Sequence, residues 1–457
     1  MRFERATRVN VASQLSPEEA QSLRVAPMAT LDATARSESA KRPIARLADE
    51  LTNWETAFAR RKNERKGRLE KLQAAIGAFL ADLLSACNHP EANGWTWRSL
   101  SKSGFTGHTV SFRDFDAIVS AWAACGLLER VAGFKEPVVF DPGDQLRVRG
   151  KASRFRATPK LLALCAEHGI IPHNASEHFV YTPPERPLRL NASSRTVALW
   201  KEPGKPMNYA RTEQTARLEE PIKELNAFLA QHVISGAMHR WFHRTFNMGD
   251  EEGFAWNKGG RLYSDGKGSY QNIPRSERLK ITIDGERVCE IDIRASYLTI
   301  LHALYHVPFR VSAEVDPSQV AGIPRNVVKA WCTVRFGTKG ARTRWPADAI
   351  EKYAEDNDGS DLREFKIRDV EREFCRKFPL MGGWSELKET WADLMWLESE
   401  AVVSTVILLM RSGVPSLPVH DSLLVPLSAE AMASDVLINN YNHVCGVTPA
   451  LVVHTLQ

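Results

Sequence analysis

The chain has no long apolar run: nowhere in its 457 residues does one approach the roughly 20 residues that a membrane-spanning helix needs. Its start, MRFERATRVNVASQL, lacks the apolar stretch of a secretory signal. The seven cysteines, Cys87, Cys125, Cys165, Cys289, Cys332, Cys375 and Cys445, contain no CxxC pair and are odd in number. That excludes the common zinc patterns and a fully paired disulfide framework, and reads as small buried hydrophobes in a reducing compartment. Internal repeats and low-complexity tracts are missing as well, which excludes a solenoid. These absences together predict a cytoplasmic protein without a membrane partner.

What is present is the composition of a globular chain, 43% hydrophobic and 25% charged, long enough for two or three domains with their own cores. A net charge of +5 suits an anionic partner but does not demand one.

The first 45 residues are polar and lack a sustained period, so a flexible segment is expected there. From Ile44 to Ala86 the pattern is helical, with Leu69, Leu72, Ile76, Phe79, Leu80 and Leu83 at three- and four-residue steps. The basic run Arg60 to Arg68 inside it reads either as a solvated face or as a phosphate-contacting stripe. Residues 94–166 predict a short helix and turn, then a helix over FRDFDAIVSAWAAC closed by Gly126. Strands LLERVAG and ASRFRAT follow, flanking a basic tip (Arg147, Arg149, Lys151, Arg154, Arg156). This is the order of a winged helix within a mainly helical domain over 46–180, and such modules either contact nucleic acid or serve as protein scaffolds. TPPERP and KEPGKP mark 181–205 as a Pro-rich linker, and 206–457 as the second domain, with 212–247 helical.

Three stretches of that second domain carry chemistry. VCEIDI is a β-branched run ending at Asp292, with ASYLTILHAL starting a helix at once; a carboxylate leaving a buried strand is a rigid mount for a divalent metal, although alone it is more often a helix cap. LPVHDSLLVPL reads as a tight hairpin with Asp421 at the turn, where aspartates are common for structural reasons too. IPRNVVKAWCTVRFG places Arg325, Lys329 and Thr333 on one helical face with Phe336 near it. Cations one turn apart can hold a triphosphate, and an aromatic can stack on a base, where a solvated face is the plainer reading. Phosphoryl transfer needs this whole set: two carboxylates for two Mg²⁺ ions (Mn²⁺ as the alternative) and cations for the departing phosphates.

In order and wording, residues 210–457 resemble the polymerase domain of the family A, single-subunit nucleic-acid polymerases. GRLYSDGKGSYQNIP resembles that family's primer–template segment, which implies Arg261, Gln271 and Asn272 as primer–template contacts. EIDIRASY resembles motif A, implying Asp292 as first metal ligand. PRNVVKAWCTVRFG resembles motif B, implying Arg325 and Lys329 as triphosphate ligands and Phe336 as nucleotide contact. PVHDSLLV resembles motif C, implying Asp421 as second metal ligand and His420 beside the primer terminus.

The sequence departs from the family where its motif A has a glutamate; here Tyr297 stands there, as in family B DNA polymerases, and a flat ring beneath the sugar would reject a 2′-hydroxyl by clash. Motif C ends in Ser422, as in phage-type RNA polymerases. Phe336 is seven residues past Lys329 rather than eight. Glu398 or Glu400 stands in for the family's glutamine on the preceding helix.

The resemblance implies an α+β polymerase: a palm over 256–302 and 396–457 with an antiparallel sheet, small helical fingers over 303–395, and thumb-like helices over 206–255. It implies a DNA polymerase that extends DNA primer–templates with dNTPs and has no proofreading exonuclease, suited to a mobile element, plasmid or phage, or to repair. An RNA polymerase or primase acting on RNA, and a retired palm that only binds DNA, are the alternatives.

Overall fold

The computed structural model describes residues 16–456 apart from 59–66, 90, 107, 139–146, 182, 198–199, 238, 266–268, 313–314 and 341. The chain divides at Pro184/Glu185 into two compact units that mix helices with several antiparallel sheets. Among the described residues no helix is long and apolar enough to cross a membrane.

In the first unit the expectation of a flexible start is corrected from residue 16 onward. Ser16 and Glu19 form a reciprocal capping box that opens helix Pro17–Val25. Further on, the buried Asp82 carboxylate accepts from the Leu31 amide at 2.7 Å, in a segment where Leu31 takes φ +63°. The helical stretch expected from Ile44 is two helices, Glu38–Phe58 and Arg68–Cys87; most of the basic run, 60–66, lies outside the described residues.

Helix Phe112–Ala124 ends as its sequence predicts, with Gly126 at φ +68°. Strands Leu128–Val131 and Ser153–Ala157 pair antiparallel, and Thr96–Arg98, expected within a short helix, is instead the third strand of their sheet. Phe79, Phe115, Trp122 and Phe155 are fully buried between these elements, with Phe79 edge-on to Phe115 at 4.9 Å. The basic tip is also corrected. The Arg154 guanidinium is buried, donating to the Leu23 carbonyl at 2.9 Å, and Arg156 pairs with Glu129. The side chains of Arg147 and Arg149 lie outside the described residues.

The second unit shows that 181–205 is not a plain linker. Leu188–Asn191 is a strand between Pro206–Met207 and Phe242–Phe246, with Leu188 and Leu190 buried; the prolines flank it rather than interrupt it. The helix expected over 212–247 stops at Leu229. FHRTF is a strand, its Phe242 and Phe246 spaced four apart as either a helix or a strand allows, because Leu188–Asn191 and Gly259–Ser264 pair with it on both sides.

The segments that carry Asp292 and Asp421 meet in one sheet. Its central strand, Glu286–Ile293, pairs antiparallel with Ser422–Pro426 on one side and with Leu451–Thr455 on the other. Cys289 and Ile291 share a face of the sheet with their cross-strand partners Val425 and Leu423, all of them buried, as the period of two requires. The region between Leu304 and Trp391 is helical, with Arg325–Phe336, Ala347–Asp356 and Ile367–Lys377 packed around Trp331, Phe374 and Trp384.

Candidate active site

Alternation along the central strand leaves Glu290 and Asp292 on one face, opposite Cys289 and Ile291. The cross-strand partner of Asp292 is Ser422, and the Asp421 carbonyl accepts from the Ile293 amide at 3.0 Å. The two-residue connection between Val419 and Ser422 is made by His420, at φ +59°, and Asp421. Pairing therefore brings Asp292 and Asp421 to the same end of the sheet.

Each carboxylate resists ionisation. Burial and then the Asp421 charge push Asp292 up to about 6, against the pull of Arg275 and Lys329. Asp421 is likewise raised by burial, opposed first by Arg261. Among the described residues no three His, Cys, Asp or Glu side chains are grouped to hold a metal. The pair Asp292 and Asp421 still fits a divalent cation in donor chemistry: two hard oxygen donors, with the Asp421 charge raising the proton affinity of Asp292, which a bound cation would relieve.

Cations already converge on these acids. The Arg275 Nη2 lies 3.2 Å from Asp292 Oδ2 and its Nε 3.3 Å from Glu290 Oε1. Arg278 holds both oxygens of Glu290, at 2.9 and 2.8 Å, and Ser422 Oγ donates to the same carboxylate. With Glu290 fully buried, these donors keep its pKa low against the penalty of burial.

Arg261 forms a second buried pair, with Glu398, its Nε donating at 3.1 Å. The glycines before it make this approach feasible. Gly260 has φ +86°, and a Cβ there would sit 3.0 Å from Ser399 Oγ on helix Trp391–Arg411, whose hydroxyl donates to the Gly259 carbonyl at 2.7 Å. Burial works against the Arg261 charge, yet Glu398, Tyr297 and Asp421 raise its pKa. Of the two acids considered for this helix, Glu398 is the one in the Asp421 environment; Glu400 pairs with Arg244.

The Tyr297 ring lies 5.8 Å from the Arg261 guanidinium and edge-on to Phe336 at 5.5 Å. Phe336 is only 7% exposed and also packs on Trp384, so it backs Tyr297 rather than presenting a free face. Lys329 is exposed on its helix. Desolvation by its surroundings, then Arg325, lowers its pKa, while Asp316 and Asp292 raise it. Arg325, half exposed, is tied by its Nε to Asp316 at 2.5 Å.

The Gln271 amide is fully engaged in the fold. Its oxygen accepts from the Ser264 amide at 2.9 Å, and its nitrogen donates to the carbonyls of Leu262 and Pro418 at 3.1 and 2.7 Å. It thus joins strand Gly259–Ser264 to the Asp421 hairpin, while Asn272 is exposed. His420 packs edge-on to Tyr263, and burial, then Arg261 and Arg278, push its pKa down to about 4.

Asp292, Asp421, Arg261, Tyr297 and Lys329 thus share one electrostatic environment. Sequence reasoning missed Glu290, Arg275 and Arg278. The alternation E-I-D carried the signal for Glu290, since a residue two before Asp292 must share its face.

No family model matches this chain, and no curated protein matches it. Among solved structures it is similar to the POL domain of Pol1 from M. smegmatis, in complex with DNA primer-template and dNTP. That likeness has 14% identity over 52% of this chain and a TM-score of 0.27. The chain spans 50% of the length of that structure's chain.

Proposed function

We propose that this chain is a template-directed DNA polymerase of the family A type, extending a primer with dNTPs without proofreading, in replication or repair of a mobile element, plasmid or phage. The observation that carries the reading is the register that sets Asp292 against Ser422 and so brings Asp421 to the same end of the sheet. Asp292 and Asp421 would hold the divalent cations, Mg²⁺ or Mn²⁺. The chemistry such a cation supplies when bound is activation of a 3′-hydroxyl and neutralisation of the leaving pyrophosphate.

The protein's own groups do the rest. Lys329 and Arg325 hold the triphosphate by charge-assisted hydrogen bonds. Tyr297, fixed between Arg261 and Phe336, packs beneath the sugar and excludes a 2′-hydroxyl. Arg261 and Asn272 follow the primer–template, with His420 beside the primer end and Gln271 bracing the hairpin behind it. The first unit contributes nucleic-acid binding.

The test is extension of a labelled primer–template with Mg²⁺, dNTPs and NTPs being offered separately, beside Asp292→Ala and Asp421→Ala. Extension with dNTPs that vanishes in both variants is the expected result. Extension with NTPs alone would replace this reading with an RNA polymerase or primase. DNA binding without extension would leave a retired palm.

A further inference from the structure

Among the buried carboxylates that the polymerase reading leaves without a role, Asp316 stands beside the proposed triphosphate ligand Arg325. Asp316 lies between helices Ser296–Leu304 and Arg325–Phe336 and is 7% exposed. Its Oδ2 takes the Arg325 Nε at 2.5 Å and the Arg294 Nη1 at 3.3 Å, and its Oδ1 accepts from the Ser318 amide at 2.8 Å. Arg294 follows Asp292 by two residues at the end of the central strand, and Arg325 opens the helix that carries Lys329 one turn on. One carboxylate therefore pins the Asp292 end of the sheet to the start of the cation helix.

Cations crowd this carboxylate. Arg294 and Arg325 both reach Asp316, and Lys329 feels both Asp316 and Asp292; like charges so close separate unless something holds them. Asp316 supplies that hold through one oxygen shared by two guanidiniums. Donor capacity remains: Arg325 meets Asp316 through Nε alone and is half exposed, and the Arg294 Nε is buried without a hydrogen-bond partner among the described residues. Guanidiniums set side by side with donors left over are suited to a polyanion, because planar forks match phosphate oxygens.

We infer that Asp316 is a positioning residue for an incoming triphosphate, holding Arg294 and Arg325 side by side next to Lys329, and that Arg294 is a third phosphate-binding cation of the site. The inference rests on the reading of Lys329 and Arg325 as triphosphate ligands.

The sign of one substitution separates this role from simple electrostatics. Removing a negative charge from an anion site should tighten anion binding if Asp316 only opposes its neighbours. If Asp316 positions them, Asp316→Asn should weaken binding although the site becomes more positive. The experiment is equilibrium binding of inorganic tripolyphosphate to the full chain by calorimetry, followed by dNTP kinetics in primer extension. The wild type is expected to bind. Lys329→Ala and Arg294→Ala should each weaken binding about tenfold. Asp316→Asn should weaken it several-fold, and Asp316→Glu should recover part of the loss. In extension, KM for dNTP should rise with kcat little changed.

Binding by Asp316→Asn equal to or tighter than the wild type overturns the positioning role, and unchanged binding by Arg294→Ala overturns the third cation. A wild type that does not bind tripolyphosphate, or a harmless Lys329→Ala, overturns the phosphate-site reading beneath both. If Asp316→Asn fails to fold, Arg294→Lys decides. It keeps the charge but loses the fork, so it should bind between wild type and Arg294→Ala; wild-type binding would sink the inference.

Discussion

Ser422 donates its hydroxyl to the fully buried carboxylate of Glu290 at 3.0 Å, across the two strands that bear Asp421 and Asp292. The serine after Asp421 is thus a partner of the central strand, and Glu290 is the anion around which Arg275 and Arg278 are arranged.

Glu290→Ala leaves Arg278, among the described residues, with the Ile273 carbonyl, and leaves Arg275 to Asp292 and His454. It should destabilise the chain by about 3–5 kcal/mol. Ser422→Ala, which loses one bond to a charged acceptor, should cost about 1–2 kcal/mol. Urea unfolding followed by circular dichroism checks the order, and a larger effect for Ser422→Ala would contradict it.

Arg261 and Glu398 are a buried pair with side chains 16% and 1% exposed. Arg261→Met or Glu398→Gln alone should each destabilise by about 3 kcal/mol or more, because each strands its partner. Combining Arg261→Met with Glu398→Leu should be milder than the sum of the single changes, a coupling that a double-mutant cycle reads directly.

Tyr297 stands between Arg261 and Phe336. Tyr297→Ser should lower discrimination against NTPs by about tenfold or more in primer extension, while dNTP use persists. Unaltered discrimination would remove this ring from sugar selection.

Asp393 caps helix Trp391–Arg411, accepting from the Thr390 amide at 2.8 Å, and pairs with Lys258 at 2.5 Å. Burial opposes its ionisation, but Lys258 and Thr390 prevail and hold its pKa below the usual carboxylate value. A depressed carboxylate contributes stability that is fully present above its unfolded pKa and is lost as pH falls through the folded one. Asp393→Asn should therefore be less stable than the wild type at neutral pH by about 1–2 kcal/mol, the gap closing below about pH 4. Denaturation midpoints at pH 7 and pH 3 measure it; a gap of constant size would rule the contribution out.

Local chemistry made some of this legible in the sequence. Gly126 closes its helix as a left-handed residue should, and Asp292 and Asp421 occupy the strand end and turn that their flanking residues predict. The capping box at Ser16 was equally readable but was hidden by the polar composition around it. What the sequence withheld depends on partners far along the chain. Phe242–Phe246 becomes a strand only because Leu188–Asn191 and Gly259–Ser264 flank it. Arg154 looks like a free surface cation until the Leu23 carbonyl arrives from 131 residues away. Asp316 has no neighbouring motif to announce it, since Arg294 and Arg325 meet it only once strand and helix have been placed.

The antiparallel register of Glu286–Ile293 with Ser422–Pro426 would make the proposed activity an all-or-none property of folding. Sliding either strand by one residue would turn its set of side chains through the sheet, offering Ile291 where Asp292 belongs or Leu423 in place of Ser422. A misaligned molecule would hold no weakened centre, only none. In a preparation that is partly misfolded, turnover per chain should therefore fall in proportion to the aligned fraction, with the substrate affinity of the surviving molecules untouched.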